Sequence, residues 1–166
     1  MIAYKFLNEG AVSPFAGFRW PADEWVDAAG TDPCSRGIHA CRVTDLPFWL
    51  GKELWEIELA GDVVVQERKV VAPRGRLVRR IGEWNRALLN EFGLDLRART
   101  RIRFGAVAGL AGYVGDIERH LETGRVPLAA FAAARAAELA GGPVEYERER
   151  ARQAAWLADR LGLGAA

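Results

Sequence analysis

The chain has 166 residues, half of them hydrophobic and 27% charged, with a formal net charge of +1. That is enough chain to bury a core without a covalent staple, and no apolar run approaches the roughly 18 residues of a membrane span. The start MIAYKFLNEG lacks the basic head and apolar core of a signal peptide, and two cysteines in an unexported chain read as reduced thiols, so a cytoplasmic location is expected.

Ile2–Leu7 is a β-like run. Pro14, Gly17 and Pro21 punctuate a loop that holds Phe15, Phe18 and Trp20. Gly37–Cys41 is a short extended segment. Thr44 is placed to cap a brief helix over 45–50, with Pro47 in its first turn and Gly51 closing it. Glu53–Leu59 alternates, with Trp55, Ile57 and Leu59 on one face and Glu56 and Glu58 on the other, the mark of a half-buried strand. Gly61-Asp62 turns the chain into a strand at Val63–Val65. Lys69–Ala72 and Arg76–Ile81 follow, split by a Pro73-Arg-Gly75 turn.

The second half changes period. Glu83–Phe92 reads as a helix stopped by Gly93, and Ala106–Glu122 is apolar at helical spacing. Pro127 opens an alanine-rich helix to about Ala140, Gly141-Gly142 ends it, and Pro143 opens a last helix to about Leu161. The expected fold is therefore a single α+β domain. A small, twisted, mainly antiparallel sheet (1–82) packs against a C-terminal set of helices (83–166). The run Arg97, Arg99, Arg101 and Arg103 fits either a strand ladder or two helical i, i+4 pairs.

Charge is unevenly spread. Lys and Arg number 5 against 11 Asp and Glu in residues 1–67, 11 against 3 in 68–103, and 7 against 8 in 104–166. The basic segment suits a phosphate-bearing small ligand or an acidic protein partner. No zinc-finger spacing or aromatic ribonucleoprotein motif speaks for nucleic acid. P-loop, dinucleotide-fold and nucleophile-elbow motifs are absent as well.

The densest chemistry lies in Cys34-Ser-Arg-Gly-Ile-His-Ala-Cys41, which holds both cysteines and one of the two histidines. On a strand, His39 and Cys41 leave the same side, so an imidazole stands beside a thiol it could activate. The simpler alternative is a buried thiol beside a hydrogen-bonded histidine. Zinc would need further ligands from His120 or carboxylates, whose spacing predicts nothing, so no metal is assigned. Glu56 and Glu58 are candidates for acting on a ribosyl bond or are the wet face of their strand. Phe18 and Trp20 are candidates for stacking a planar ligand or equally for the hydrophobic lid of a small core. Arg36, Arg74, Arg76 and Arg79 are candidates for holding a phosphate, the alternative for the arginine-rich segment being a solvated face paired with the acidic N-terminal half.

Four segments carry a resemblance: Gly17-Phe-Arg-Trp20, Cys34-x-x-Gly-Ile-His-Ala-Cys41, Glu53-Leu-Trp-Glu-Ile-Glu-Leu-x-Gly61 and Lys69-Val-Val-Ala72. Together they resemble a family of uncharacterised bacterial and phage proteins with a G-[FLI]-H-x-C element, a short helix and an E-V-E-x-x-G strand. The likeness covers about residues 1–82 and implies no function. The order from Gly37 to Trp84 is similar in layout to small ADP-ribosyltransferases, which implies NAD as cofactor, with His39, Trp20 and Glu56 or Glu58 as counterparts by type. No S-T-S strand is present, and Lys5 stands where that layout wants an arginine. A ligand-binding or transferase-like domain acting on a phosphate-bearing nucleotide is the leading expectation. The rival is a non-catalytic interaction module with a basic docking face.

Overall fold

The computed structural model describes residues 1–31 and 36–163. They form two compact units, Met1–Trp84 and a second that begins at Asn85. The first is built of antiparallel strands and the second of helices, so the α+β class is as expected.

In the first unit β1 (Ile2–Leu7), β2 (Val26–Asp27), β3 (Ile38–Ala40), β4 (Glu53–Ala60), β5 (Val64–Val65), β6 (Val70–Ala72) and β7 (Arg74–Arg80) make two sheets. One has the order β1-β4-β7-β2 and the other β3-β6-β5. Ala3, Leu7, Ile57, Leu59 and Leu77 of the first sheet share one core with Ile38, Ala40, Val70 and Ala72 of the second. Period-2 alternation supplies both inner faces. Cys41, one residue beyond β3, ties the sheets together, because Tyr4 and Cys41 exchange both backbone hydrogen bonds at 2.8 and 2.7 Å.

The alternation of β4 holds for Ile57 and Leu59, but its outward face is only partly wet. Leu54, on the same side as Glu56 and Glu58, is fully buried. Phe6 and Trp84 meet edge to face nearby at 5.2 Å, and the Trp84 indole donates to the Gly51 carbonyl. A bulge in β7 leaves Val78 unmatched between the Glu56–Arg79 and Ile57–Leu77 pairs. The two-residue β2 was not anticipated. The expected helix at 45–50 is instead a 3-10 segment over Val43–Phe48. Thr44 lies inside it and caps nothing; Arg42 precedes it and donates to Asp45 at 2.5 Å.

The second unit holds α1 (Arg86–Phe104), α2 (Ala111–Glu122), α3 (Val126–Gly141) and α4 (Pro143–Leu161). Asn85 caps α1, its side-chain oxygen accepting from the Ala87 and Leu88 amides. The helix does not stop at Gly93. A Cβ there would lie 2.9 Å from Leu121 of α2, so the glycine serves close helix contact instead of chain reversal. The arginine run is therefore helical. Arg99 pairs with Asp95 and Glu149, Arg101 with Glu118, and Arg103 with Glu145 and Glu149. The expected helix from Ala106 starts only at Ala111. Pro127 and Pro143 sit in first turns as expected, and Gly162 ends α4 in the left-handed conformation. Among the described residues no helix is long and apolar enough to cross a membrane.

Candidate functional site

A cleft of about 950 Å³ opens in the strand-rich unit. Its lip is the loop after β1. Asn8 and Val12 exchange backbone hydrogen bonds, the Ser13 amide donates to the Phe18 carbonyl, and the Gly17 amide donates to the Ser13 carbonyl, so residues 13–18 close into a tight turn. Phe15 at its tip is 93% exposed and Phe18 is 44% exposed. Gly10 and Ala11 both take positive φ, and the Glu53 carboxylate accepts from both amides at 3.1 Å. Glu53 also accepts from the Trp55 indole at 3.0 Å and faces Arg80 at 3.5 Å. Burial alone would raise its pKa, but these donors outweigh that and hold the carboxyl below its usual range. This buried anion from β4 therefore anchors the loop that carries both phenyl rings.

Of the two readings of its loop, Trp20 takes the place of a core side chain. It is 6% exposed, belongs to the inter-sheet core and donates its indole N–H to Ser13 Oγ at 2.9 Å. Phe18 meets its ring edge-on at 5.6 Å, and Lys5 Nζ stands 5.3 Å from its centroid. Trp20 shapes the cleft wall, while Phe15 and Phe18 are the rings with open faces.

Gly37 leads into β3 at φ +106°, where a Cβ would lie 2.6 Å from Val71. Only glycine lets the chain enter the strand there and pair His39 with Val71 of β6. The His39 carbonyl accepts from Lys5 Nζ at 2.5 Å. Burial, with Lys69 and Lys5 nearby, pulls the imidazole below its ordinary pKa, so it is neutral at pH 7. Its Nε2 is buried without a hydrogen-bond partner among the described residues. A group left so costs about 1–3 kcal/mol. Lys5, on the inward side of β1 between Ala3 and Leu7, is shifted by burial to about 8, with Cys41 opposing the shift.

Cys41 lines the same cleft but is 2% exposed, and burial, with Asp45 adding to it, pushes its thiol far above the ordinary value. His39 Nε2 makes no bond to it. A protonated, enclosed thiol is not an activated nucleophile. In a Cys34→Ser variant, Cys41 is expected to react with a soluble disulfide reagent at least about 100-fold more slowly than a free thiol until denaturant is added. A native rate equal to that of a free thiol would contradict this placement. Cys34 itself lies outside the described residues.

The other sequence candidates are elsewhere. Glu58 pairs with Arg76 at 2.7 Å and Glu56 with Arg79 at 3.1 Å. Arg74 pairs with Asp27 at 3.3 Å, and the Arg74 and Arg76 guanidinia lie 5.0 and 5.1 Å from the Trp25 ring. None of these arginines or of Glu56 and Glu58 lines the cleft, and neither does Arg36, which is exposed just before β3. The strip on β7 is a charge-matched ladder, so a phosphate or an acidic partner meets carboxylates there along with guanidinia. Cations do reach the cleft, but they are Lys5 and Lys69. Neither lysine was assigned to a site from the sequence. Among the described residues no three His, Cys, Asp or Glu side chains converge as metal ligands would; His120 belongs to α2. No protein-family model, curated protein or solved structure matches the chain.

Proposed function

We propose that the strand-rich unit binds a small phosphate-bearing nucleotide in this cleft. The observation that carries the reading is the pairing of open phenyl faces at the lip with cationic and unpartnered polar groups below. Phe15 and Phe18 stack the base, Lys69 faces the phosphate, and Lys5 Nζ and His39 Nε2 meet polar atoms of the ligand, the latter in place of the hydrogen-bond partner it lacks. NAD and its fragments are of a suitable class, in keeping with the layout similarity to ADP-ribosyltransferases. The support is for binding and stops short of transfer. Stabilising an oxocarbenium-like centre calls for a carboxylate, and the cleft's described carboxylate, Asp27, is paired with Arg74.

Calorimetric titration with AMP, ADP-ribose, NAD and adenosine tests the reading. Saturable binding is expected for the phosphate-bearing compounds, at least about 10-fold weaker for adenosine, which lacks the phosphate that a lysine faces in the cleft, and for the Phe15→Ala variant, because one stacked base contributes about 1–3 kcal/mol. Equal affinity for AMP and adenosine, or no binding of any of the four, would overturn it.

A further inference from the structure

Lys5 has the surroundings of a reactive amine more than of a simple anion-binding ammonium. Its neighbours on the inner face of β1, Ala3 and Leu7, belong to the inter-sheet core, and Trp55 is its register partner on β4. Its Nζ approaches the Trp20 ring and donates to the His39 carbonyl. No carboxylate pairs with it among the described residues. The titratable groups that face it are the Cys41 thiol, the His39 imidazole and Lys69. None of these supplies a negative charge at pH 7, and Asp27 on the cleft wall is paired with Arg74. The amine nevertheless lines an open cleft, which a purely structural lysine does not need. Desolvated lysines without a counter-ion are the ones that act as nucleophiles toward carbonyl groups.

We propose that Lys5 forms an imine with the aldehyde or ketone carbon of a phosphate-bearing ligand held in this cleft. The assignment rests on the ligand reading above and names the functional group that the ligand carries. The Nζ lone pair attacks the carbonyl carbon, the π electrons move to oxygen, and that oxygen takes a proton, giving a carbinolamine. Nitrogen then loses a proton, the hydroxyl leaves with a proton as water while the C=N bond forms, and the iminium nitrogen gives up its remaining proton to leave the imine. Amine and carbonyl go in, imine and water come out, and nothing is oxidised or reduced. His39 Nε2, unpartnered in the same wall, is free to carry the proton from nitrogen to the leaving oxygen.

The chain has three lysines, Lys5, Lys52 and Lys69, which makes the test clean. The whole protein is mixed with substoichiometric pyridoxal 5′-phosphate or glyceraldehyde 3-phosphate, reduced with borohydride and mapped by peptide mass. Labelling at Lys5 is expected to exceed that at Lys52 by at least about 10-fold, to rise with pH through about 8 and level off above it as the neutral amine accumulates, and to vanish in Lys5→Met. In His39→Ala, Lys5 is expected to label more slowly at an unchanged apparent pKa. Equal labelling of all three lysines, or labelling that spares Lys5, would overturn the proposal. Calorimetry on the same protein separates the two claims. If AMP binds and Lys5 is not trapped, the imine falls and the nucleotide reading stands. If propanal labels Lys5 selectively while no nucleotide binds, the amine's reactivity stands, and both the nucleotide reading and the phosphate assigned to this ligand fall.

Discussion

Replacing Glu53 with alanine is expected to destabilise the strand-rich unit by about 3 kcal/mol at pH 7. The carboxylate is 5% exposed and serves two backbone amides, an indole and a guanidinium at once. Its loss leaves the part-buried Gly10 and Ala11 amides and the Trp55 indole without their acceptor, and donors partly withheld from water cost more than the bonds were worth. The pH dependence has a definite sign. The folded pKa lies below the unfolded one, so the contribution is fully present above the ordinary glutamate value and disappears as pH falls through the depressed folded value. Urea denaturation of wild type and Glu53→Ala should therefore give curves far apart at neutral pH that converge in acid. A constant gap across pH would mean that Glu53 acts through packing alone. Because Gly10 and Ala11 begin the loop of Phe15 and Phe18, the variant should also lose ligand affinity wherever it remains folded.

Lys5→Met is expected to work in the opposite direction and stabilise the protein by about 2 kcal/mol at pH 7. An amine shifted from the ordinary lysine value to about 8 leaves the folded state with fewer bound protons than the unfolded state across that interval. Stability therefore rises with pH between about 8 and 10.4, and below 8 it is lower by on the order of 3 kcal/mol than a neutral group would allow. The hydrogen bond lost by the His39 carbonyl returns about 1 kcal/mol of that gain. Methionine fills the same volume without a charge. Denaturation at pH 7 and pH 10.5 checks the sign: the variant's advantage should be present at the first and gone at the second. A destabilised variant at pH 7 would show that the ammonium supports the fold. A stabilised one that no longer binds nucleotide is what a residue retained for function at the expense of stability produces.

Local chemistry was the legible part of this fold. Pro127 and Pro143 announced helix starts because proline fits a first turn, and Gly162 fits a left-handed helix end. The Trp55, Ile57 and Leu59 alternation marked β4 for the same reason. Gly93 misled because a glycine that lets two helices approach looks, in one dimension, the same as one that ends a helix. The arginine run was ambiguous because i, i+2 spacing suits a strand and its i, i+4 subset suits a helix. Only its acidic partners on α2 and α4 decide the matter, and they lie far along the chain.

The cleft was half legible for the same physical reason. His39, Cys41, Phe18 and Trp20 were named from composition, and all four line it. Their roles were not readable, because burial of Trp20 and Cys41 depends on a second sheet whose pairing with the first is non-local. Arg74, Arg76 and Arg79 were named from charge density, but their carboxylate partners come from β2 and β4. Lys5 went unassigned because one charge in a short strand says nothing about what faces it.

The most direct test is chemical-shift mapping of isotope-labelled protein during titration with AMP. Dose-dependent shifts should concentrate at Lys5, Phe15, Phe18, His39 and Lys69, leaving the Arg74–Arg80 strand unmoved. Shifts confined to that arginine strand, or a spectrum unchanged at millimolar AMP, would contradict the cleft as the binding site.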